Sequence, residues 1–209
     1  MPNLRRDSAR VSRAPKLRGA TGIRGFLQAY YGPDAGSLDA LRGADYCLLR
    51  CGHCGLVYQR LAPIGDLAQK LYEEWIRPVV AKRDQLSRRS VASHARLTKE
   101  IGTALNELGL SPDRATVLDV GMGWEEWCLA ARAYGCRVYG LELSAERLAH
   151  AHELGVETVG WGGIGSERFD FINAAQVLEH LPAPGDALRS LCDALRPGGL
   201  VRVACRTVE

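Results

Sequence analysis

The chain has 209 residues, 46% of them hydrophobic and 24% charged, with a net charge of +3. This is the composition of a soluble globular chain with one sizeable core and room for a small appendage. No run approaches the roughly eighteen apolar residues of a membrane span, so no membrane partner is expected, and no apolar export signal stands near the N-terminus.

The first zone, residues 1–43, is basic and rich in Gly and Ser. Residues 1–18 carry Arg5, Arg6, Arg10, Arg13, Lys16 and Arg18 against the single acid Asp7. Such an arm can touch nucleic acid or serve in targeting. It lacks the aromatic residues that stack on bases, so a solvated, flexible arm without a nucleic-acid partner is the expectation.

Residues 44–62, ADYCLLRCGHCGLVYQRLA, read as a compact β-knuckle. The Cys-x-x-Cys spacing of Cys51 and Cys54 lets two thiolates meet one zinc ion. A structural zinc needs four ligands, and only Cys47 and His53 stand nearby. Two readings stay open: zinc held by Cys51 and Cys54, or a decayed knuckle kept by the packing of Leu56, Val57 and Tyr58. The chain has seven cysteines. An odd number with no export signal argues against a disulfide framework and for a reducing, cytoplasmic setting.

Residues 63–112 read as a helical linker or lid. Leu97, Ile101, Leu105 and Leu108 recur at a spacing of three or four and mark one buried helix face. Ser111-Pro112-Asp113 breaks that pattern.

From 113 to 209 strands and helices alternate. Strands are predicted at 116–120, 137–143, 156–159, 169–175 and 200–205. Helices are predicted at 125–134, from Ser144 to Gly155, and at 184–195, with Arg196-Pro197-Gly198-Gly199 as a turn. This alternation implies an α/β domain: a Rossmann-like, mostly parallel sheet with helices on both faces, preceded by the small knuckle and the helical segment.

In open α/β sheets ligands sit beyond the carboxyl ends of the strands. The loop after the first strand of this domain, in TVLDVGMGWEEWCLAA (116–131), is therefore the place to look. Gly121 and Gly123 permit backbone angles closed to other residues and a close approach to the main chain. The helix start near Glu125 offers free N–H groups. Glu142 ends the second strand, and an acid there can accept two hydrogen bonds from a ribose diol. A nucleoside-bearing cofactor is favoured on these grounds. Pyrophosphate binding prefers G-x-G-x-x-G with an uncharged helix start, whereas residues 121–126 read GMGWEE. Two acids there disfavour a dinucleotide and so a dehydrogenase. S-adenosyl-L-methionine carries no phosphate and has a cationic end.

VLDVGMGW, GCRVYGLELS and FDFINAAQVLEHLPAPGDALRSLCDALRPGGLVRV resemble, in order, the successive motifs of class I S-adenosylmethionine-dependent methyltransferases, over residues 116 to about 205. RCGHCGLVYQRLAP resembles the zinc-ribbon-like start of one subgroup. The resemblance implies that Asp119 orients the glycine loop and the cofactor's amino-acid end. It places Gly121, Met122 and Gly123 under the cofactor and Glu142 on the ribose hydroxyls, with Leu143 beside it. It puts Ala174 to His180, including Gln176, along the pocket. The acceptor it implies is a small molecule with an O, N or C nucleophile.

Three departures, and one further pair of residues, carry expectations of their own. Glu125 stands where the family has its third glycine, and its side chain is expected to turn outward to solvent. The loop GWGGIGSE lacks the usual partner of the adenine amine unless Glu167 serves, and Trp161 either stacks on adenine or packs internally. The sequence stops soon after the fifth strand, where the family adds two more. That predicts a truncated domain or self-association through an uncovered sheet edge. Glu179 and His180, just past the fourth strand, are the candidate catalytic pair: His180 as a base toward the acceptor, or both as structural residues. The rival reading of the whole chain is a catalytically degenerate, methyltransferase-like binding module.

Overall fold

A computed structural model describes residues 90–205 continuously, and 48–50, 52, 55, 57–59, 65–70, 83 and 87 before them. The basic arm, Cys47, Cys51, His53, Cys54 and Leu56 lie outside the described residues, and with them the zinc reading. The chain divides into two compact units, residues 1–77 and 78–209.

In the first unit β1 (Leu48–Arg50) pairs antiparallel with β2 (Val57–Gln59), with Leu49 opposite Tyr58. Leu49 is buried, whereas Val57 and Tyr58 are exposed. A short helix, α1 (Asp66–Lys70), follows.

The second unit opens with α2 (Val91–Leu108). Ser90 and Ser93 cap it reciprocally: each side-chain oxygen accepts from the other's backbone N–H, which satisfies two of the orphan donors of the first turn. The helix expected inside a 63–112 linker lies in the main core of this unit. Leu97, Ile101, Ala104 and Leu105 are buried there, with Leu108 packed partly against them.

Five strands follow: β3 (Thr116–Val120), β4 (Arg137–Leu141), β5 (Glu157–Thr158), β6 (Phe169–Ala175) and β7 (Leu195–Ala204). They form one parallel sheet in the order β5-β4-β3-β6-β7. The helices between them are α3 (Glu126–Tyr134), α4 (Ala145–Glu153) and α5 (Pro184–Asp193). Strand alternation sends Val117, Val138 and Phe171 into a core with α2, α3 and Ala151 of α4. Leu118, Tyr139, Ile172 and Ala174 enter a second core with Leu191 of α5. Helices therefore cover both faces. From β3 the chain steps to β4 and β5 on one side, then to β6 and β7 on the other. The direction switches between β3 and β6, the point of an open α/β sheet beyond whose carboxyl ends ligands sit.

Two local expectations are corrected. The fifth strand of the sheet begins at Leu195 rather than at 200, and the helix before it ends at Asp193. Leu195 pairs with Phe169 and Leu200 with Phe171, so Arg196–Gly199 is looped out as a bulge inside β7 instead of forming a separate turn. The bulge carries Arg196 to Asp170, whose Oδ2 also accepts from the Thr116 backbone N–H at 2.8 Å. One buried acid thus ties β3, β6 and β7 together. Ser144 occupies the N-cap position of α4 but makes no side-chain cap; its backbone N–H donates to Glu142 Oε1 at 3.1 Å.

No helix among the described residues is long and apolar enough to cross a membrane. Leu200 and Val203 of β7, on opposite faces of the sheet, are exposed.

Candidate cofactor and catalytic site

The first turn after β3 is built on tight contacts. Gly121 has φ +66°, and a Cβ there would lie 2.6 Å from Val177 Cγ2, so the turn closes only without a side chain. The N–H groups of Gly121 and Met122 both donate to Leu141 O of β4. The Met122 side chain is buried, its sulfur seated where a Cβ on Gly140 would be, only 2.0 Å from that position. The Met122 side chain is thus spent on packing against β4. Gly123 N–H donates to Glu142 Oε2 at 3.1 Å, which joins the glycine turn to the end of β4.

Glu142 is held by four donors. Oε1 accepts from the N–H groups of Leu143 and Ser144 at 2.8 and 3.1 Å. Oε2 accepts from Gly123 N–H and from Arg147 Nη1 at 3.4 Å. A carboxylate offers about four acceptor directions. The four donors present therefore occupy both oxygens, two on each. Beside it Leu143 is 60% exposed, an uncovered apolar surface next to a hydrogen-bonding acid. Together they suit a ribose and the flat base attached to it.

Asp119 is nearly inaccessible, at 5% exposure. Its Oδ1 accepts from Asn173 Nδ2 at 2.7 Å, and its Oδ2 lies 3.8 Å from the Cys128 thiol. Burial pushes its carboxyl from the usual 3.8 up to about 7; the Asn173 and Cys128 bonds oppose the shift and Glu142 adds to it. Burial likewise holds the Cys128 thiol well above its ordinary range, with Asp119 and Glu125 reinforcing the effect, so Cys128 stays a neutral donor.

Glu125 turns inward, which corrects the expectation of a solvent-facing side chain. Its backbone takes φ +55°, the left-handed region, so the chain bends here as a third glycine would. Its carboxylate is fully buried and accepts from His150 Nδ1 of α4 at 2.8 Å. The His150 ring also meets the buried Trp124 edge-on, with centroids 5.3 Å apart. The Arg147 guanidinium lies 5.9 Å from the Trp124 ring centre. The Glu125 carboxylate is thus hydrogen-bonded and withdrawn from the surface of the turn.

Breaking this pair is expected to cost stability in a backbone-dependent way. Glu125→Ala keeps the left-handed strain and removes a buried hydrogen-bonded group, for a loss of about 2–4 kcal/mol in urea unfolding. Glu125→Gly loses the same contacts but adopts φ +55° freely, and should be about 1 kcal/mol less destabilised than Glu125→Ala.

Glu179 and His180 lie on a 3-10 turn, Leu178–His180, at the carboxyl end of β6, and both are exposed. His180 is tied in by its backbone N–H to Val177 O at 2.9 Å. Glu179 meets Cys205, where burial and the neighbouring carboxylate raise the thiol above its ordinary value. Gln176, at φ +58°, has its N–H on Ala204 O at 2.6 Å and its side chain exposed. Trp161 packs partly against the second core. Glu167 acts electrostatically on Arg137 and Tyr139. No cluster of metal-ligating side chains occurs among the described residues.

The turn at 121–123, Glu142, Leu143 and Asp119 thus come together at the switch point, with Gln176, Glu179 and His180 on the segment that follows β6. The residues missed by sequence reasoning are Trp124, Arg147, His150, Asn173 and Arg202. An acid in a glycine's position signals a buried partner, but nothing in the sequence says that α4 supplies it.

The family described as "Methyltransferase domain" matches residues 92–208. The ubiquinone biosynthesis O-methyltransferase of Serratia proteamaculans (strain 568) is 35% identical over 97 residues, 41% of this chain and 40% of that protein. Its namesake from Methylobacterium sp. (strain 4-46) is 34% identical over 95 residues, 41% of this chain and 38% of that protein. The chain therefore spans about 40% of the length of these curated relatives. Among solved structures, CalS10, an amino pentose methyltransferase from Micromonospora echinaspora, aligns over 62% of this chain and 56% of that one, with a TM-score of 0.49 and 24% identity. Since the family match takes in more than half of the 209 residues, this chain belongs to the class I S-adenosylmethionine-dependent methyltransferases.

Proposed function

We propose that this chain binds S-adenosylmethionine at the carboxyl ends of β3, β4 and β6 and transfers its methyl group to a hydroxyl oxygen of a small molecule. The observation that carries the reading is the Glu142 carboxylate beside the Gly121–Gly123 turn, with exposed Leu143 next to it. Glu142 accepts the ribose hydroxyls in place of Gly123 N–H and Arg147. Leu143 covers one face of the base. Asp119, when ionised, attracts the cationic amino group. The choice of oxygen is supported by the curated relatives, which are named ubiquinone biosynthesis O-methyltransferases.

Bound S-adenosylmethionine supplies an electrophilic methyl on a sulfonium that departs as a neutral thioether. What the chain contributes is alignment of the acceptor oxygen with that methyl. As the new oxygen–carbon bond forms, the acceptor's proton must leave. His180, exposed on the turn after β6, takes it at a ring nitrogen and releases it to solvent.

Calorimetric titration of the purified chain with S-adenosylhomocysteine tests the cofactor part. Dissociation constants in the micromolar range are expected. A folded, monodisperse chain that gives no heat and no shift in melting temperature would remove the reading.

A further inference from the structure

A polar row crosses the apolar face of the sheet. The register sets Asp119 of β3 opposite Asn173 of β6, and Asn173 opposite Arg202 of β7. Asn173, 3% exposed, uses both ends of its amide. Nδ2 donates to Asp119 Oδ1 at 2.7 Å, and Oδ1 accepts from Arg202 Nη1 at 2.6 Å. Arg202 Nη2 lies 3.3 Å from Glu100 Oε1 of α2, which also pairs with Arg96 at 2.7 Å. A connected path thus runs from α2 through β7 and β6 to Asp119.

The amide has two orientations, and the guanidinium decides between them. Turned over, Asn173 would set its NH2 against Arg202 and its carbonyl oxygen against the Asp119 carboxylate, losing both bonds and facing like partial charges. The groups acting on Asp119 are Asn173 from β6, Cys128 from α3, Glu142 from the end of β4 and Arg202 from β7. Arg202 is the cation in that set. A cation on a β7 position facing the helical core also stands where strand burial would favour an apolar side chain.

We propose that Arg202 is a positioning residue for the acid of the first motif: it holds the Asn173 amide in the orientation that donates to Asp119, and its charge keeps that carboxylate ready for a cationic ligand group. The ligand part of this proposal rests on the cofactor reading above; the effect on Asp119 does not.

The test uses the whole chain without ligand. The Asp119 carboxyl carbon is followed by NMR from pH 4 to pH 9, assigned by its absence in Asp119→Asn. In Arg202→Met the midpoint should rise by roughly one pH unit over wild type. Arg202→Lys should recover most of the shift, because it keeps the charge but not the fork that bridges Asn173 and Glu100. Should Arg202→Met not fold, Arg202→Gln carries the same comparison. In a second arm, S-adenosylhomocysteine should bind Arg202→Met about three- to tenfold more weakly than wild type at pH 7 and nearly equally at pH 9. An Asp119 titration unmoved by loss of the Arg202 charge overturns the positioning role. A moved titration with no ligand binding by wild type supports that role and overturns the cofactor reading alone.

Discussion

Asp119→Asn raises the stability of the unliganded protein at pH 8, by up to about 4 kcal/mol, and abolishes the pH slope that this acid imposes. Burial holds the Asp119 carboxyl at about 7 against an ordinary 3.8. Each pH unit of difference is worth about 1.36 kcal/mol, so roughly three units give the figure stated. The sign follows from proton linkage. Between about pH 4 and pH 7 the folded chain keeps a proton on Asp119 that the unfolded chain has lost, so stability falls as pH rises through this window. Above it the folded state carries a buried charge at full cost. The asparagine variant carries none, and its Oδ1 still accepts from Asn173. Its advantage over wild type should be near zero at pH 4, grow to pH 7 and level off beyond. Urea unfolding at four pH values checks this, and a constant difference between the two proteins would show that Asp119 is not the group responsible. The same variant is expected to lose affinity for S-adenosylhomocysteine, so that the acid is retained at the expense of stability.

Glu142→Gln lowers the affinity for S-adenosylhomocysteine by at least tenfold, while Arg147→Met leaves it equal or raises it. The two predictions differ in sign because Glu142 supplies the accepting oxygen while Arg147 competes with the ligand for it. Glu142 Oε2 holds Gly123 N–H at 3.1 Å and Arg147 at 3.4 Å. A ribose diol must replace them. Removing the carboxylate charge takes away two charge-assisted hydrogen bonds, each worth about 1.5–3 kcal/mol. Removing Arg147 takes away the competitor, while methionine keeps much of the apolar cover over Trp124. Titration calorimetry of both variants beside wild type measures the pair. A weaker-binding Arg147→Met would make Arg147 a ligand contact instead of a competitor.

Much of the main domain was legible in the residue order. The runs TVLDV and FDFINAA became β3 and β6 at the residues expected, because buried parallel strands are continuous apolar runs bounded by turn residues. Gly135 closed α3, and the order of strands and helices set the switch point at the end of β3. From that followed the acid, the glycine turn and the acid at the end of the next strand, each set by chemistry that sits within a few residues.

Other features were decided by contacts between distant segments. The bulge at Arg196–Gly199 exists because β7 pairs with β6 on both sides of it. Glu125 points inward because α4 presents His150 to it from 25 residues away. Burial against the main core pushes the Asp119 carboxyl up toward neutrality, and Asn173 and Arg202 reach it only through strand register. The sequence by itself determined the period of each element and the local chemistry of the turn, since these depend on neighbours along the chain. Burial, partner choice and acidity were decided by the tertiary structure alone, since desolvation and pairing depend on what folding brings alongside.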